Sequence, residues 1–149
     1  MGVFVKRIGL EEAEKVAVLF NAYRVFYEQE SDLALAQTFI TERLKNDESV
    51  IFVAEDTHGE FVGFTQLYPN FSSVSAKRTW VLNDLYVAPE ARRLGAGKAL
   101  MNIAKEYAIA THAKGIALET AKDNVNAQAL YESLGYKRGE GFYSYFLSV

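Results

Sequence analysis

The 149-residue chain contains no cysteine, which excludes disulfide bonds, thiolate metal ligands and cysteine nucleophiles together. Histidine is almost as scarce: His58 lies in a predicted turn and His112 at a predicted helix end, with no cluster of ligands around either. Proline occurs only at Pro69 and Pro89, and no linker, low-complexity segment or internal repeat divides the sequence. We therefore expect a single domain over residues 1–149 that binds no metal ion.

Long apolar segments and an excess of basic charge are also missing. The longest apolar run is far shorter than the ~20 residues of a membrane helix, and no basic region followed by an apolar stretch opens the sequence. The net charge of −3 gives no general attraction to nucleic acid or to an anionic membrane. These features predict a cytoplasmic protein that binds neither, with a charge compatible with a cationic substrate.

Apolar residues make up half of the sequence and aromatics 13%, enough for a hydrophobic core. Apolar side chains recur at helical spacing over residues 11–28 and 32–45, and again over 100–111 and 127–134, where Gly135 ends the last helix. Runs rich in β-branched and aromatic residues predict strands at 3–8, 49–55, 60–67, 79–87, 115–120 and 142–149. The turn residues 56–59 join the second and third strands as a hairpin. This order predicts an α/β (α+β) fold with a mixed, mostly antiparallel sheet and helices on both faces.

The segment from Val87 to Leu100 joins a predicted strand to a predicted helix, and its residues suit an anion. Its glycines allow close backbone approach, and the first N–H groups of the helix point outward without helical partners. The helix dipole and the side chains of Arg92, Arg93 and Lys98 add positive charge. A pyrophosphate fits this description, whereas the alternative is a glycine-containing helix start beside solvated arginines.

Two well-known phosphate loops do not fit this segment. A Rossmann fingerprint needs a third glycine after Gly95 and Gly97, but Leu100 stands in its place. A Walker loop needs Ser or Thr after the lysine and a glycine five residues before Gly97; Ala99 follows Lys98, and that glycine is absent.

The segment does resemble the coenzyme A motif of the GNAT superfamily of N-acetyltransferases, Q/R-x-x-G-x-G/A after a strand ending in Val-x-Pro. Arg92, Gly95 and Gly97 occupy the defining positions, and the sequence LYVAP precedes them. Residues 124–136, NVNAQALYESLGY, are similar to the N-x-x-A-x-x-L-Y-E-x-x-G-[FY] helix of the same family. The resemblance extends over essentially the whole chain and implies a GNAT-like central sheet of about seven strands.

The resemblance implies acetyl-CoA as co-substrate and assigns residues to it. The strand backbone at Leu85 and Val87 would pair with the pantetheine amides, and Arg92 would stand at the head of the loop. The backbone cradle for the pyrophosphate would comprise Arg93, Leu94, Gly95, Ala96, Gly97, Lys98 and Ala99. Asn124 and Ala127 would complete the cofactor site, although Asn124 also suits a helix N-cap, and both roles are compatible.

Two catalytic residues follow from the same resemblance. Tyr131 matches the tyrosine that protonates the departing thiolate, and a phenol with a pKa near ~10 can donate to that group. The alternative is a core tyrosine on the apolar stripe of its helix. Asp84 is a candidate to hold the amine or relay its proton through water; family members that act on polyamines often have an acidic pair where this chain has Asn83 and Asp84. The alternative for Asp84 is a structural carboxylate.

The acceptor amine is expected between the first helices and the middle strands. The proposed substrate-binding residues are Tyr23, Tyr27, Glu28, Tyr68 and Asn83, and Phe71 and Trp80 are expected to join this aromatic cluster from the sheet. Aromatic faces beside a carboxylate suit a cation. The sequence also looks like the GNAT branch that includes yeast histone- and polyamine-acetylating enzymes.

The function that follows is transfer of an acetyl group from acetyl-CoA to a primary amine, by direct attack in a ternary complex. The acceptor would be a small-molecule amine or a lysine-containing peptide, and a homodimer is expected because family members commonly dimerise. The alternative is a non-catalytic acyl-CoA-binding regulatory module on the same fold, which would be expected to have lost Tyr131 or the intact loop.

Overall fold

The computed structural model describes residues 2–149, and within them the chain forms five strands and four α-helices. The strands are β1 (Phe4–Arg7), β2 (Val50–Glu55), β3 (Phe61–Ser72), β4 (Lys77–Val87) and β5 (Ile116–Ala117). The helices are α1 (Ala13–Phe26), α2 (Leu33–Lys45), α3 (Ala96–Ala110) and α4 (Val125–Ser133), with 3-10 turns at Leu10–Glu12 and Pro89–Leu94.

Short-range hydrogen bonds explain where several elements begin. The Asp32 carboxylate accepts the Leu35 amide at 3.0 Å and caps α2. The Asp56 carboxylate accepts the amides of His58 and Glu60 at 2.8 and 3.0 Å, which closes the β2–β3 hairpin and lowers the pKa of Asp56. The predicted hairpin is therefore confirmed.

The strands lie in the order β1-β2-β3-β4-β5, antiparallel throughout except for the parallel pair β4–β5. Helices α1 and α2 cover one face of the sheet, where Val16, Ile40 and Phe64 form a hydrophobic core cluster with their neighbours. Helix α3 packs on the other face, against β2, β3 and β4. The predicted fold class, a mixed and mostly antiparallel α/β sheet with helices on both faces, is confirmed.

The predicted number of about seven strands is too high, because residues 2–149 contain five. The segment 115–120 forms only the two-residue β5, and residues 142–149 form no strand. Phe142 and Tyr145 in that tail are 97% and 93% exposed. Alternating apolar residues favour a strand only where a neighbouring strand completes the backbone hydrogen bonds, and the sequence pattern does not reveal that neighbour.

A bulge in β4 decides which face its side chains occupy. Gln66 of β3 pairs with Asp84, but the next residue, Leu67, pairs with Leu82, so Asn83 is an extra residue. Beyond this bulge the Asp84 side chain lies on the same face as that of Tyr86, toward α1. The bulge thus brings a carboxylate to the face that carries the candidate amine site.

The chain divides into two compact units, of which the first ends at Leu118 and the second spans Glu119–Val149. The first contains the sheet and α1–α3, and the second contains α4 and the tail. The single domain expected over residues 1–149 remains a prediction. No helix within residues 2–149 is long and apolar enough to span a membrane.

Candidate active site

The connection from β4 to α3 has the geometry of an anion site. A 3-10 turn (Pro89–Leu94) leads to Gly95, which adopts the left-handed conformation with φ 76° and ψ 18° and caps α3 without a side-chain hydrogen bond. The first helical bond runs from the Ala99 amide to the Gly95 carbonyl at 3.0 Å. The amides of Ala96, Gly97 and Lys98 therefore have no helical acceptor, and within the described residues no side chain caps them.

The predicted cradle stays a prediction, but the amide of one of its members is already used inside the helix. Because the Ala99 amide closes the first helical turn, Ala99 is a structural part of the helix start rather than a free donor. Ala96 is fully buried and anchors that start on the sheet. Arg93, Leu94 and Lys98 are exposed around the three free amides, and both basic side chains add charge to the positive end of the helix dipole.

The Arg92 side chain contacts both β4 and α1. Its Nε donates to the Val87 carbonyl at 3.2 Å, and its guanidinium carbon lies 6.0 Å from the centre of the Phe26 ring. The side chain is nevertheless exposed. Arg92 thus holds the 3-10 turn against the end of β4 while keeping N–H donors available for an anion.

The edge of β4 next to this loop is open toward β5. Strand β5 pairs only with Trp80 and Val81 and ends at Ala117, so it offers no partner to β4 from Leu82 to Val87. Leu85 and Val87 are half-buried there, and their other neighbours are Thr65 and Gly63 of β3. An extended chain of amides, such as pantetheine, suits such an unpaired strand edge.

Asp84 is a buried carboxylate held by two amide side chains. It is 1% exposed, and its oxygens accept Gln66 Nε2 at 2.7 Å and Asn83 Nδ2 at 2.8 Å. Burial raises the pKa of Asp84 to about 6, and these two hydrogen bonds oppose the rise. A carboxylate with a pKa in this range is mostly ionised at neutral pH and is a stronger base than an exposed aspartate.

Gln66 is the functional residue that the sequence analysis missed. It is fully buried in β3, its Nε2 is the closest donor to Asp84, and its Oε1 has no hydrogen-bond partner within the described residues. The available signal was a polar pair, Thr65 and Gln66, between the apolar residues Phe64 and Leu67. Thr65 uses its hydroxyl to bind the Asp84 carbonyl at 2.8 Å, so both residues of this pair support the same position of β4.

Tyr68 and Asn83 lie around the same carboxylate. The phenol of Tyr68 is half-buried, and its pKa is raised by burial and by the charge of Asp84, whereas Arg43 opposes the rise. The Asn83 carbonyl accepts the Tyr23 hydroxyl at 3.3 Å. The predicted substrate residues Tyr23, Tyr68 and Asn83 are thus brought close to Asp84.

The predicted aromatic cluster forms at the end of α1. The ring centres of Tyr23 and Tyr27 are 5.0 Å apart, and Tyr23 lies 6.5 Å from Tyr86 of β4. Phe26 lies 6.3 Å from Tyr86 and is 57% exposed, while Tyr27 is 52% exposed. Accessible ring faces are therefore present beside the bulge of β4.

Phe71 and Trp80 do not belong to this cluster, and that prediction was wrong. Trp80 packs 5.3 Å from Tyr107 of α3 and donates its indole N–H to Thr111 at 2.9 Å. Both Phe71 and Trp80 stack against Arg78, on the α3 face of the sheet. The bulge in β4 changes the alternation between Trp80 and Asp84, and sequence spacing did not reveal it.

Glu28 follows α1 in a left-handed conformation, with φ 67°, and its side chain is exposed. Its amide donates to the Val25 carbonyl at 2.9 Å and ends the helix. Its carboxylate thus lies on the surface next to Tyr27, where it can attract a cation.

In the second unit, Asn124 is the N-cap of α4, since its Oδ1 accepts the Ala127 amide at 3.2 Å. The capping role is confirmed, and the Ala127 amide is used by it. Tyr131 is half-buried on α4, with its ring centre 6.1 Å from that of Tyr136. The Tyr136 hydroxyl is buried without a hydrogen-bond partner in the described residues, and burial raises the pKa of Tyr136.

Within residues 2–149, no group of three or more His, Cys, Asp or Glu side chains could hold a metal ion. The candidate site itself offers backbone amides, guanidinium groups, phenols and the buried Asp84.

Comparison with known proteins shows the family of this chain. Residues 14–136 match the Acetyltransferase (GNAT) family. The chain is 50% identical over 145 residues to the uncharacterized N-acetyltransferase YhfO of Bacillus subtilis strain 168, covering 97% of each protein. It is 32% identical to a probable acetyltransferase of Haemophilus influenzae, covering 83% of each. A crystal structure of a probable acetyltransferase superposes with a TM-score of 0.93 and 41% identity, covering 98% of this chain and 97% of the other.

Together with the α/β fold, these matches identify an acetyltransferase domain. The chain belongs to the GNAT family of acetyltransferases. The finer resemblance to the yeast histone- and polyamine-acetylating branch stays a prediction.

Proposed function

We propose that this protein transfers the acetyl group of acetyl-CoA to a primary amine, by direct attack of the amine in a ternary complex. The observation that carries the proposal is the β4–α3 connection, with three unpartnered amides behind a left-handed Gly95. When bound, acetyl-CoA supplies an activated acetyl thioester. The new C–N bond forms as the C–S bond breaks, so one proton must leave the amine and one must reach the sulfur.

The residues at the loop fit the phosphates of the co-substrate. The amides of Ala96, Gly97 and Lys98 would donate to the pyrophosphate, and Arg92 and Arg93 would neutralise its charge. Leu85 and Val87 would pair with the pantetheine arm through the β4 edge that β5 leaves open. By its match to the family motif, Asn124 is proposed to contact the same arm.

The residues around the β4 bulge fit an amine. An alkylammonium with a pKa near ~10 must lose a proton before it can attack. Asp84 has a pKa of about 6 and an exposed neighbour, Asn83, so we propose that it accepts this proton through an intervening water molecule. Tyr23, Tyr27 and Glu28 would hold the cation before it reacts.

Tyr131 is proposed as the acid that protonates the departing thiolate. The support is its position in the NVNAQALYESLGY segment, which matches the family motif residue by residue. A hydroxyl that donates as negative charge develops on sulfur lowers the barrier to departure of the thiol.

The proposal is tested by acetylation assays on a panel of polyamines, amino acids, lysine peptides and aminoglycosides, with thiol release and product masses as readouts. We expect an acetylated amine and stoichiometric thiol. Isothermal titration with acetyl-CoA tests the alternative, a non-catalytic binding module. Tight binding without turnover on any amine would favour the module and contradict the enzyme.

The oligomeric state, location and partners of the enzyme are proposed from the family resemblance and the sequence. We propose a homodimer in the cytoplasm that uses a small-molecule amine or a lysine-containing peptide and binds neither nucleic acid nor membrane. Sedimentation equilibrium of the full chain would give twice the 16.7 kDa subunit mass. A purely monomeric species at assay concentrations would contradict the dimer without affecting the proposed reaction.

A further inference from the structure

An open cleft of about 490 Å³ lies at the sheet end that is remote from the β4–α3 connection. It opens among the end of β1, the starts of β2 and β4, the end of β3 and the last turn of α3. Trp80 lines it, seven residues before Val87 along β4, so roughly 20 Å of strand separates the cleft from the loop. Nothing in the proposed acetyl transfer uses this cleft.

Two arginines in the cleft have no acidic partner. Arg78 stacks 4.9 Å from the Phe71 ring and 5.1 Å from the Trp80 ring, and it forms no ion pair or side-chain hydrogen bond within the described residues. Arg7 lies 5.3 Å from the Tyr107 ring, with only a long hydrogen bond of 3.5 Å to its hydroxyl. Stacking occupies the flat face of a guanidinium and leaves its in-plane N–H groups available to an anion.

A buried hydroxyl in the same cleft also lacks a partner. Ser49 is 4% exposed, and its Oγ has no hydrogen-bond partner within the described residues. A buried polar group in this state is costly unless something outside the chain completes its hydrogen bond. This oxygen is itself out of contact with solvent, so the donors that the cleft presents to a ligand are the guanidinium groups of Arg7 and Arg78.

The charge and the walls of the cleft define the ligand further. The Asp, Glu, Lys and Arg side chains that line it are Arg7, Arg78 and Asp47, two positive and one negative, so the net charge is about +1. This charge matches a monoanion better than a phosphate dianion. The exposed ring of Phe71 and the half-buried ring of Tyr107 provide flat apolar walls beside the buried Trp80.

We propose that the cleft is a binding site for a small carboxylate with a flat aromatic body. The carboxylate would accept hydrogen bonds from Arg7 and Arg78, and the aromatic body would pack against the rings of Phe71 and Tyr107. A volume of this size is typical of small-molecule sites.

The chain reports this binding through its own fluorescence, because Trp80 is its only tryptophan. The full chain is titrated with benzoate, and with benzamide as a neutral ligand of the same shape. We expect a saturable change of Trp80 emission with benzoate and none with benzamide. Isothermal titration is the second readout, since it does not depend on the surroundings of the indole.

The variants Arg7→Met and Arg78→Met keep much of the apolar stem and remove the charge. Each is expected to weaken benzoate binding on the order of tenfold or more, because a charge-assisted hydrogen bond is lost. Arg138→Met removes a charge outside the cleft and serves as the matched control, with unchanged affinity. Circular dichroism and thermal unfolding verify that each variant is folded.

Three outcomes would overturn the proposal. The first is the absence of saturable binding of benzoate by both readouts. The second is benzoate binding of equal strength in the wild type and in both folded arginine variants. The third is that the cleft does not prefer a carboxylate monoanion. Either phenyl phosphate would then bind more tightly than benzoate, or benzamide would bind with the same affinity as benzoate.

Discussion

The Asp84 carboxylate is almost completely buried, and two side-chain amide N–H groups donate hydrogen bonds to it in place of water. Gln66 and Asn83 donate at 2.7 and 2.8 Å, but they do not fully offset the burial, so the pKa of Asp84 remains raised, at about 6. A structural carboxylate would be better stabilised by a cation, and Asp84 has no ion pair within the described residues. The position therefore suits a group that must accept a proton near neutral pH.

The pH dependence of turnover tests this role. With Asp84 as base, kcat/KM rises with pH through about 6 as the carboxylate ionises. Asp84→Asn should lower kcat/KM by about 10²–10⁴-fold and remove this limb of the profile. A profile with the same limb in the variant would exclude Asp84 as the titrating group.

Gln66→Met provides a more selective test of the role of Asp84. It removes the amide that donates to the Asp84 carboxylate and nearly conserves the side-chain volume. The hydrogen bond from Gln66 lowers the pKa of Asp84, so its loss should move the limb to higher pH while turnover at high pH persists. A lower rate with an unmoved limb would mean that Gln66 is only structural.

Tyr131→Phe should lower kcat far more than it weakens coenzyme binding, because the lost hydroxyl serves the departing thiolate and not the phosphates. Tyr136→Phe is the matched control: its ring lies 6.1 Å from that of Tyr131, and its buried hydroxyl lacks a partner, so its removal should not reduce kcat. Rapid-mix kinetics and calorimetry measure the two quantities. Equal rates for Tyr131→Phe and the wild type would remove Tyr131 as the acid.

At the scale of elements, Gly95 decides how β4 is joined to α3. Its φ of 76° favours glycine, yet an added Cβ would meet no atom within 4 Å. Gly95→Ala should therefore cost only backbone strain, about 1 kcal/mol of unfolding free energy, and should weaken coenzyme binding by displacing the free amides. Urea unfolding and calorimetry measure these effects.

Two other glycines serve as comparisons for that prediction. At Gly63 a Cβ would lie 3.1 Å from the Tyr86 carbonyl and 3.3 Å from Leu100, so Gly63→Ala should destabilise by roughly 1–3 kcal/mol through overpacking. Gly115 has neither a positive φ nor an atom within 4 Å, and Gly115→Ala should change little. Coenzyme binding that survives unchanged in Gly95→Ala would contradict the role of the loop.

The elements that the sequence predicted well are those fixed by local signals. The cap at Asn124 and the turn at Asp56 use hydrogen bonds within four residues, and each appears where the sequence placed it. The helix predicted from residue 32 begins at Leu33, directly after the Asp32 cap. Strand ends were less accurate: β3 extends to Ser72 rather than residue 67, because its pairing continues along β4. Pairing of this kind depends on a distant partner and not on local composition.

At the scale of the whole molecule, the buried charge of Asp84 lowers stability. The folded pKa, about 6, lies above the ordinary value of 3.8, so between these values the folded state binds more protons than the unfolded state. The contribution of Asp84 to the free energy of unfolding is thus largest below about pH 4, and it falls by roughly 3 kcal/mol as the pH rises through 6. Any contribution from other groups adds to this change.

Asp84→Asn should remove that contribution. Relative to the wild type, the variant should gain stability as the pH rises from 4 to 7, because the new amide has no charge to bury and its N–H can donate to the unpartnered Gln66 Oε1. Thermal unfolding of both proteins across this range measures the difference. A difference that does not vary with pH would show that the carboxyl titrates normally in the folded state.

The sequence by itself determined the chemistry of the β4–α3 loop, because Arg92, Gly95 and the helix start act within a few residues of one another. Tertiary structure decided which side chains surround Asp84. The extra residue Asn83 shifts the alternation of β4, and only pairing with β3 sets Gln66 against the carboxylate and Trp80 on the opposite face. The register between two strands depends on how both faces of the sheet pack against distant parts of the chain. A shift of one residue moves every side chain to the opposite face, so local sequence patterns cannot determine the register.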